Sequence, residues 1–362
     1  MDKKKIGKTI AYLRKRAGFT QKDLADRIGI SDKAVSKWER GLGTPDIAYF
    51  GKLSILLDTD IDSILTGNVI HHDKEWRGLL VLPENVQGVN AGMVIYDKPL
   101  VYFLLSYYLL VGIKHIYIVS NKTDSDYILE EFGDGGSLGI KLEYIGTRFD
   151  DVTNALDSDS SYSNLMVVYG RSFIFGVDQT RFFQRAMINK DRMTILSLPK
   201  KTDKAESSVL SFDEARKLVH SDSEERIHTQ YDYYEIPVLF CPKEKLPQIY
   251  KASDQGKFLI SLSDFEREQL YTEVLDRGFV EMPIDNLDQA LDVADFVRLV
   301  QYACGMEIYC IEEIAWRRGM INLEQLREFG IRKGNTNYGR YLLSLSERYN
   351  KVNVNSMENA SI

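Results

Sequence analysis

The chain has 362 residues, 44% hydrophobic and 27% charged, a balance that excludes disordered, collagen-like and disulfide-scaffold proteins and leaves room for two or three domains around a sizeable core. Its three cysteines, Cys241, Cys304 and Cys310, form no CxxC pair and point to neither a disulfide framework nor a zinc site. The net charge of −7 divides unevenly: residues 1–67 carry 13 Lys and Arg against 9 Asp and Glu, the remainder 33 against 44. A basic head on an acidic body fits one end that meets a polyanion, although a solvated helical surface would give the same split.

Apolar residues Ile6, Ile10, Leu13 and Ala17 recur at helical spacing and stop at Gly18. Thr20 then stands as N-cap before QKDLADRIG, with Asp23 three residues on as in a capping box, and Gly29 ends that short helix. Ser31 caps a third helix, DKAVSKWER, which stops at Gly41; IAYFGKLSILL and IDSIL supply two more. Five short helices, the second and third joined by a tight glycine turn, make a helix-turn-helix unit.

The string LRKRAGFTQKDLADRIGISDKAVSKWERGLGTPD resembles the DNA-binding domain of Cro/CI-type phage repressors, the XRE class, over residues 6–66. The resemblance implies that the third helix enters the major groove of a double-stranded DNA operator, with Asp32, Lys33, Ser36 and Lys37 toward base edges. It also implies that Thr20, Gln21, Arg14 and Arg40 meet phosphates. Ala25, Val35 and Trp38 read as core. Such heads bind as pairs on two half-sites, so the rest of the chain is expected to form a homo-oligomer, a dimer or tetramer.

Residues 68–76, NVIHHDKEW, read as a polar linker whose His71 and His72 have no partners at ligand spacing. From Arg77 onward, strand candidates GLLVLP, IKHIYIVS, KLEYIG, LMVVYG and MTILSL alternate with helical patterns PLVYFLLSYYLLVG, DSDYILEEF and QTRFFQRAMINK. This alternation predicts an open parallel sheet covered on both faces, a Rossmann-like α/β domain over 77–300 with a helical region at 301–346 and a polar tail at 347–362. Ligands in such sheets bind at the carboxyl ends of the strands. The longest uncharged apolar run, Leu100 to Ile113, has 14 residues, too short for a bilayer and readable as a buried helix. No signal peptide is recognised, and no membrane partner is expected; the expected compartment is the cytoplasm.

The order of these segments resembles the sugar-nucleotide pyrophosphorylases, glucose-1-phosphate thymidylyltransferases above all. The stretches YDKPLVYFLLSYYLLVGIKHIYIVS…YILEEFGDGGSLGIKLEY, LMVVYGRSFIFG and GMEIYCIEEIAWRRGMINLEQLREFG…NYGRYLLSL carry it across residues 77–346. The resemblance implies attack of a sugar phosphate on the α-phosphorus of a nucleoside triphosphate, served by a glycine-rich phosphate loop, cations and a carboxylate-held Mg2+. Those parts depart from the family pattern here. The loop after the first strand is shortened, lacks its glycine pair and arginine, and opens with Pro83 and Glu84. A family lysine aligns with Asn90, one metal aspartate with Arg171 and the other with Pro283, with Asp285 two residues on as a displaced ligand candidate. The pyrimidine-reading segment is shortened at GTRFDDVTNALDSDSS, and the sugar-phosphate lysine has no counterpart near Phe212–Lys217.

No catalytic residue, metal ligand or resident cofactor is therefore assigned. Arg171 reads in two ways, as a cation that meets a ligand phosphate in the metal's stead or as a partner of a nearby acid. A second ligand site is suggested by Cys310, Glu313 and Ile314, which match the family's regulatory CPEEIA-like segment, while a lysine there becomes Glu307. Three readings of the body stand: a degenerate sensor of a nucleotide sugar or sugar phosphate coupled to the DNA-binding head, a structural body that only pairs the heads, or an active, Mg2+-dependent thymidylyltransferase with an autoregulatory head.

Overall fold

The computed structural model describes residues 2–17, 19–57, 59, 61–67, 75–82, 88–188, 190–199, 209–212, 218–221, 232–253, 255–260, 270–275, 278–305 and 307–358. The chain divides into two compact units: residues 1–71 with 312–331 and 342–362, and residues 72–311 with 332–341. The expected linker, His71 and His72 included, lies outside the described residues except for Glu75 and Trp76.

In the first unit, Ile6, Ile10 and Leu13 lie buried along one face of α1 (Lys3–Arg16), as their spacing requires. Thr20 opens α2 (Gln21–Ile28) with the expected capping box: the Asp23 amide donates to the Thr20 hydroxyl at 3.1 Å and the Thr20 amide to the Asp23 carboxylate at 2.7 Å. Gly29 then turns the chain at φ 79°, in the left-handed region that favours glycine. Ser31 caps α3 (Asp32–Glu39), and α4 (Ile47–Leu56) and α5 (Ile61–Thr66) complete the cover of a core that includes Leu24, Val35, Trp38, Phe50 and Leu53. α1 meets α3 backbone to side: a Cβ on Gly7 would stand 2.0 Å from the Trp38 carbonyl oxygen, so only glycine allows this crossing.

Among the described residues, the second unit is built on a sheet of nine strands. Its centre is parallel, with β1 (Trp76–Val81) between β4 (His115–Val119) and β6 (Asn164–Tyr169), and β5 (Lys141–Ile145) beyond β4. These are the strands expected from the sequence, and α6 (Leu100–Leu110), α7 (Lys122–Phe132) and α9 (Gln179–Ile188) match the expected helices. Between β5 and β6, however, Phe149–Ser158 forms α8, in the stretch read only as a shortened segment. α6 is buried all round, including Tyr102, Tyr107 and Tyr108, which accounts for its unbroken apolar sequence.

The sheet is mixed rather than parallel throughout. β11 (Asp232–Pro242) runs antiparallel to β6, with Val238 opposite Val168, and also pairs antiparallel with β8 (Met193–Pro199) and β9 (Val209–Phe212). β10 (Leu218–Ser221) extends this side, and β14 (Leu270–Val274) pairs parallel with β8. Parallel neighbours need a long crossover, whereas strands that succeed one another closely return antiparallel, as β9 and β10 do.

Among the described residues there are also three small pairs: β2 (Val94–Ile95) with β3 (Lys98–Pro99), β12 (Tyr250–Ala252) with β13 (Phe258–Ile260), and β7 (Ser172–Phe175) with β15 (Val280–Pro283). Helix α10 (Leu287–Cys304) follows β15 behind the Asn286 cap. The C-terminal region holds α11 (Ile311–Arg317), α12 (Leu323–Arg332) and α13 (Asn337–Glu358). The last helix runs into the stretch read as a polar tail from residue 347, which contains no proline or glycine to stop it.

Candidate functional site

In the head, Asp32, Lys33, Lys37 and Arg40 are exposed and Ser36 is half-buried, while Val35 and Trp38 on the opposite side of α3 are buried. The five polar positions thus share one face, as i, i+1, i+4, i+5 and i+8 must on a helix. Thr20 is exposed at the start of α2. Arg14 is placed differently from the phosphate contact expected of it. It is buried, with Nε donating to Glu39 at 2.5 Å, Nη2 to the same carboxylate at 3.0 Å and Nη1 to the Phe19 carbonyl at 2.6 Å. The Gln21 amide donates to Glu39 at 2.7 Å. Arg14 and Gln21 therefore tie α1 and α2 to the end of α3, and the described structure presents the α3 face on that frame.

In the body, Arg171 follows the carboxyl end of β6 and Pro283 ends β15. Ser172 stands opposite Pro283 in the β7–β15 register, and the Ile284 amide donates to the Arg171 carbonyl at 2.7 Å. The two positions aligned with metal aspartates are thus brought together, but they hold a guanidinium and a proline. Arg171 Nη2 donates to Asp124 Oδ2 at 2.9 Å, with both side chains buried. The same carboxylate accepts the Asn121 side-chain amide at 3.0 Å and the Ala91 backbone amide at 2.6 Å. Asn90, the residue before that amide, accepts from Gly92 at 3.0 Å.

One carboxylate therefore joins the start of α7, the segment after the shortened loop, and the end of β6. Asp285 is exposed, and its amide donates to Gln289 at 2.7 Å. These residues do not fit a divalent cation: Asp124 is already held by Arg171, and among the described residues no group of three His, Cys, Asp or Glu could hold a metal. Pro83 and Glu84 of the loop, and Lys217, lie outside the described residues.

Two participants at this edge escaped the sequence reading. Asp124 is one; Asn121-K-T-Asp124 repeats the capping pattern of Thr20 and Asp23, but Asp23 is exposed and Asp124 fully buried. The other is the pair formed where the Tyr169 hydroxyl donates to the Glu235 carboxylate. Burial pushes the Glu235 carboxyl up from its ordinary value, against the pull of that hydrogen bond.

Of the second group of candidates, Cys310 is buried, Glu313 pairs with Arg317 at 2.7 Å, and Ile314 is half-buried. Glu307 joins a buried polar knot: Lys98 Nζ lies 2.7 Å from Asp97, 3.1 Å from Gln301 and 3.6 Å from Glu307. Burial, then the hydrogen bond and charge of Asp97, push Glu307 up to about 7.

A capped helix-turn-helix head with a polar α3 face, followed by a doubly wound sheet with crossover helices, defines a DNA-binding domain joined to a nucleotidyltransferase-type body. The family described as Helix-turn-helix matches residues 10–64. A glucose-1-phosphate thymidylyltransferase from Neisseria meningitidis serogroup A is 26% identical over 272 residues, 72% of this chain and 94% of that protein. The enzyme of the same name from Mycolicibacterium smegmatis is 28% identical over 275 residues, 72% and 93% of the two chains. A Bacillus anthracis structure assigned as a glucose-1-phosphate thymidylyltransferase, in complex with a sucrose, superposes at TM-score 0.50 and 14% identity, covering 62% of this chain and 95% of that one. The chain thus joins an XRE-type helix-turn-helix domain to a body homologous to glucose-1-phosphate thymidylyltransferases. Among the described residues no helix is long and apolar enough to cross a membrane.

Proposed function

We propose that this protein is a cytoplasmic, sequence-specific transcriptional regulator whose thymidylyltransferase-like body has given up catalysis and binds a nucleotide sugar or sugar phosphate as a signal. The observation that carries the reading is the buried Arg171–Asp124 pair at the position that aligns with a metal aspartate of the family, one residue before Ser172, which stands opposite Pro283. A transition state that gathers charge on phosphate oxygens needs a mobile-charge partner of the metal's kind; here the cation is a side chain already neutralised by Asp124. The head binds operator DNA through Asp32, Lys33, Ser36, Lys37 and Arg40 on α3 and Thr20 at the start of α2. Two copies in a homo-oligomer set the half-site spacing, and ligand binding changes how the heads fit it.

The test is a thermal-shift titration of the full chain against deoxythymidine triphosphate, glucose 1-phosphate, dTDP-glucose and dTDP-rhamnose, with and without Mg2+. A Mg2+-independent shift with one sugar nucleotide is expected. Pyrophosphate release from triphosphate plus glucose 1-phosphate would overturn the loss of catalysis, and no shift with any compound would reduce the body to a pairing device.

A further inference from the structure

The positive charge of the head is concentrated outside its helix-turn-helix pair. Residues 1–67 carry 13 Lys and Arg against 9 Asp and Glu, and without Lys3, Lys4, Lys5 and Lys8 the count would be 9 against 9. All four lysines precede residue 10, where the match to the helix-turn-helix family begins. They are exposed on the first two turns of α1, and none of them forms an ion pair with a described residue.

This placement works against the helix. The free amides of a first turn give that end a partial positive charge, which favours acids there and disfavours lysines. The helix-turn-helix pair obeys that rule: α2 has Asp23 in its first turn and Arg27 in its last, and α3 has Asp32 and Lys37. In α1 no acid stands in the first turn, and the carboxylate of the preceding Asp2 is engaged by the Lys4 amide at 2.9 Å and the Lys5 amide at 3.2 Å. Lys4 and Lys8, four residues apart on the helix, also repel each other. A surface that needed only to be wetted would be served as well by Glu or Gln, so these lysines answer to something other than folding.

The packing of α1 shows what they stand beside. Gly41 follows Arg40 at the end of α3 and turns at φ 70° against Lys4: a Cβ there would stand 2.9 Å from the Lys4 Cα. Two residues on, a Cβ on Gly43 would lie 3.5 Å from Lys37 Cε. Lys4 therefore begins where the polar face of α3 ends, beside Arg40 and on the side of Lys37. Lys3 precedes it, and Lys8 lies one turn further along the same stripe of α1. Lys5 is turned elsewhere: its stem lies against the end of α5, where a Cβ on Gly67 would stand 2.6 Å from Lys5 Cγ. Three of the lysines thus extend the polar face of α3 with positive charge, and the fourth does not.

We propose that Lys3, Lys4 and Lys8 form a second DNA contact of the head, holding backbone phosphates of the duplex next to the bases that α3 reads. This rests on the DNA-binding reading above and adds a surface that the helix-turn-helix motif does not contain. A lysine ammonium is a point charge that meets phosphate without reading sequence, and each phosphate it neutralises releases counterions. The surface contributes affinity for any duplex and no discrimination between duplexes.

The experiment is fluorescence anisotropy of the full chain on two labelled duplexes across a salt series. One duplex is obtained by in vitro selection on the wild-type chain; the other is scrambled, of equal length and composition. Wild type is compared with the triple variant Lys3→Gln/Lys4→Gln/Lys8→Gln and with Lys5→Gln as the control. The triple variant is expected to lower the slope of log affinity against log salt by roughly 2–3, at about 0.9 per phosphate, and to weaken both duplexes by the same factor, on the order of 100-fold at about 0.1 M salt. Lys5→Gln is expected to change neither. The melting temperature of the triple variant is expected to stay level or rise, because the changes relieve repulsion at the start of α1. Slope and affinity unchanged in the triple variant, an equal change in Lys5→Gln, or a loss confined to the selected duplex each overturns the second contact and leaves the DNA-binding reading intact. A wild-type chain that yields no selected duplex and does not bind the scrambled one overturns that reading and the contact with it. If the triple variant is destabilised, Lys8→Gln decides alone, its slope expected to fall by about 1.

Discussion

The Arg171–Asp124 pair makes a quantitative prediction about the stability of the body. Asp124 has no exposed surface, and its two oxygens accept from Ala91 at 2.6 Å, from Asn121 at 3.0 Å and from Arg171 at 2.9 Å. Arg171→Met removes the only cation of this set and strands a buried carboxylate; breaking one side of such a pair costs about 3–5 kcal/mol. Asp124→Asn strands the guanidinium instead, with a similar cost. The double variant Asp124→Asn/Arg171→Met buries no charge and loses hydrogen bonds worth about 1–2 kcal/mol. The two single costs sum to about 6–10 kcal/mol against about 1–2 kcal/mol for the double variant, so the cycle is expected to close with a coupling of about 4 kcal/mol or more. Urea unfolding read by pulse proteolysis of the body gives the four free energies. Single effects that add to within about 0.5 kcal/mol would refute the reasoning, since the two charges would then be independent of each other.

The remaining predictions concern the head, the polar knot at Glu307 and the metal. Arg14→Ala is expected to lower the melting temperature of the head, because it leaves Glu39 without its bidentate partner; Lys33→Ala and Lys37→Ala are expected to leave it unchanged and to weaken DNA binding by about 1–3 kcal/mol each, measured by fluorescence anisotropy across a salt series. Gly7→Ala is expected to destabilise the head by more than about 2 kcal/mol in thermal unfolding, since its Cβ would stand 2.0 Å from the Trp38 oxygen and both atoms belong to packed helices. Glu307 has a folded pKa of about 7, above the ordinary 4.5, so its stabilising contribution is complete below about pH 4.5 and lost as pH rises through 7. Asp97 shifts the opposite way, held down against burial by Glu307 and Lys98, and its contribution is lost only at acid pH. Body stability is thus expected to fall by at most about 2 kcal/mol between pH 5.5 and pH 8 in wild type, less where solvent screens the partly exposed carboxyl, and to stay level in Glu307→Gln. Millimolar Mg2+ is expected to leave the wild-type melting temperature unmoved.

Much of the architecture was legible because local signals and tertiary packing agree. Thr20, Asp23, Gly29 and Ser31 mark helix ends by chemistry that acts within a few residues, and they sit in the structure as their spacing requires. The parallel strands were legible as short apolar runs between helical patterns. What was not legible depends on pairing at long range. The antiparallel side of the sheet is set by partners such as Val238 and Val168, seventy residues apart, and no periodicity within either strand reveals the direction of its neighbour. Arg14 was expected to meet phosphate and instead holds Glu39, because a basic residue on a basic helix looks alike in sequence whichever it faces. Asp124 had the signature of an ordinary cap, and only the fold shows it buried under Arg171 and Ala91.

That burial bears on how such a body could signal. A divalent ion held by carboxylates exchanges with solvent, so the charge of its site varies with metal and substrate concentration. A guanidinium on the chain does not exchange, and the Arg171–Asp124 pair fixes the site's charge permanently at the level the fold requires. The same carboxylate anchors Ala91 next to the shortened loop and Arg171, two residues past β6, so two walls of the edge are pinned to α7 with or without an ion. On the proposed reading, occupancy of the edge would depend on the concentration of the organic ligand alone. A sensor needs that property, whereas an enzyme that must gather a metal, a triphosphate and a sugar phosphate in one site gains nothing from it.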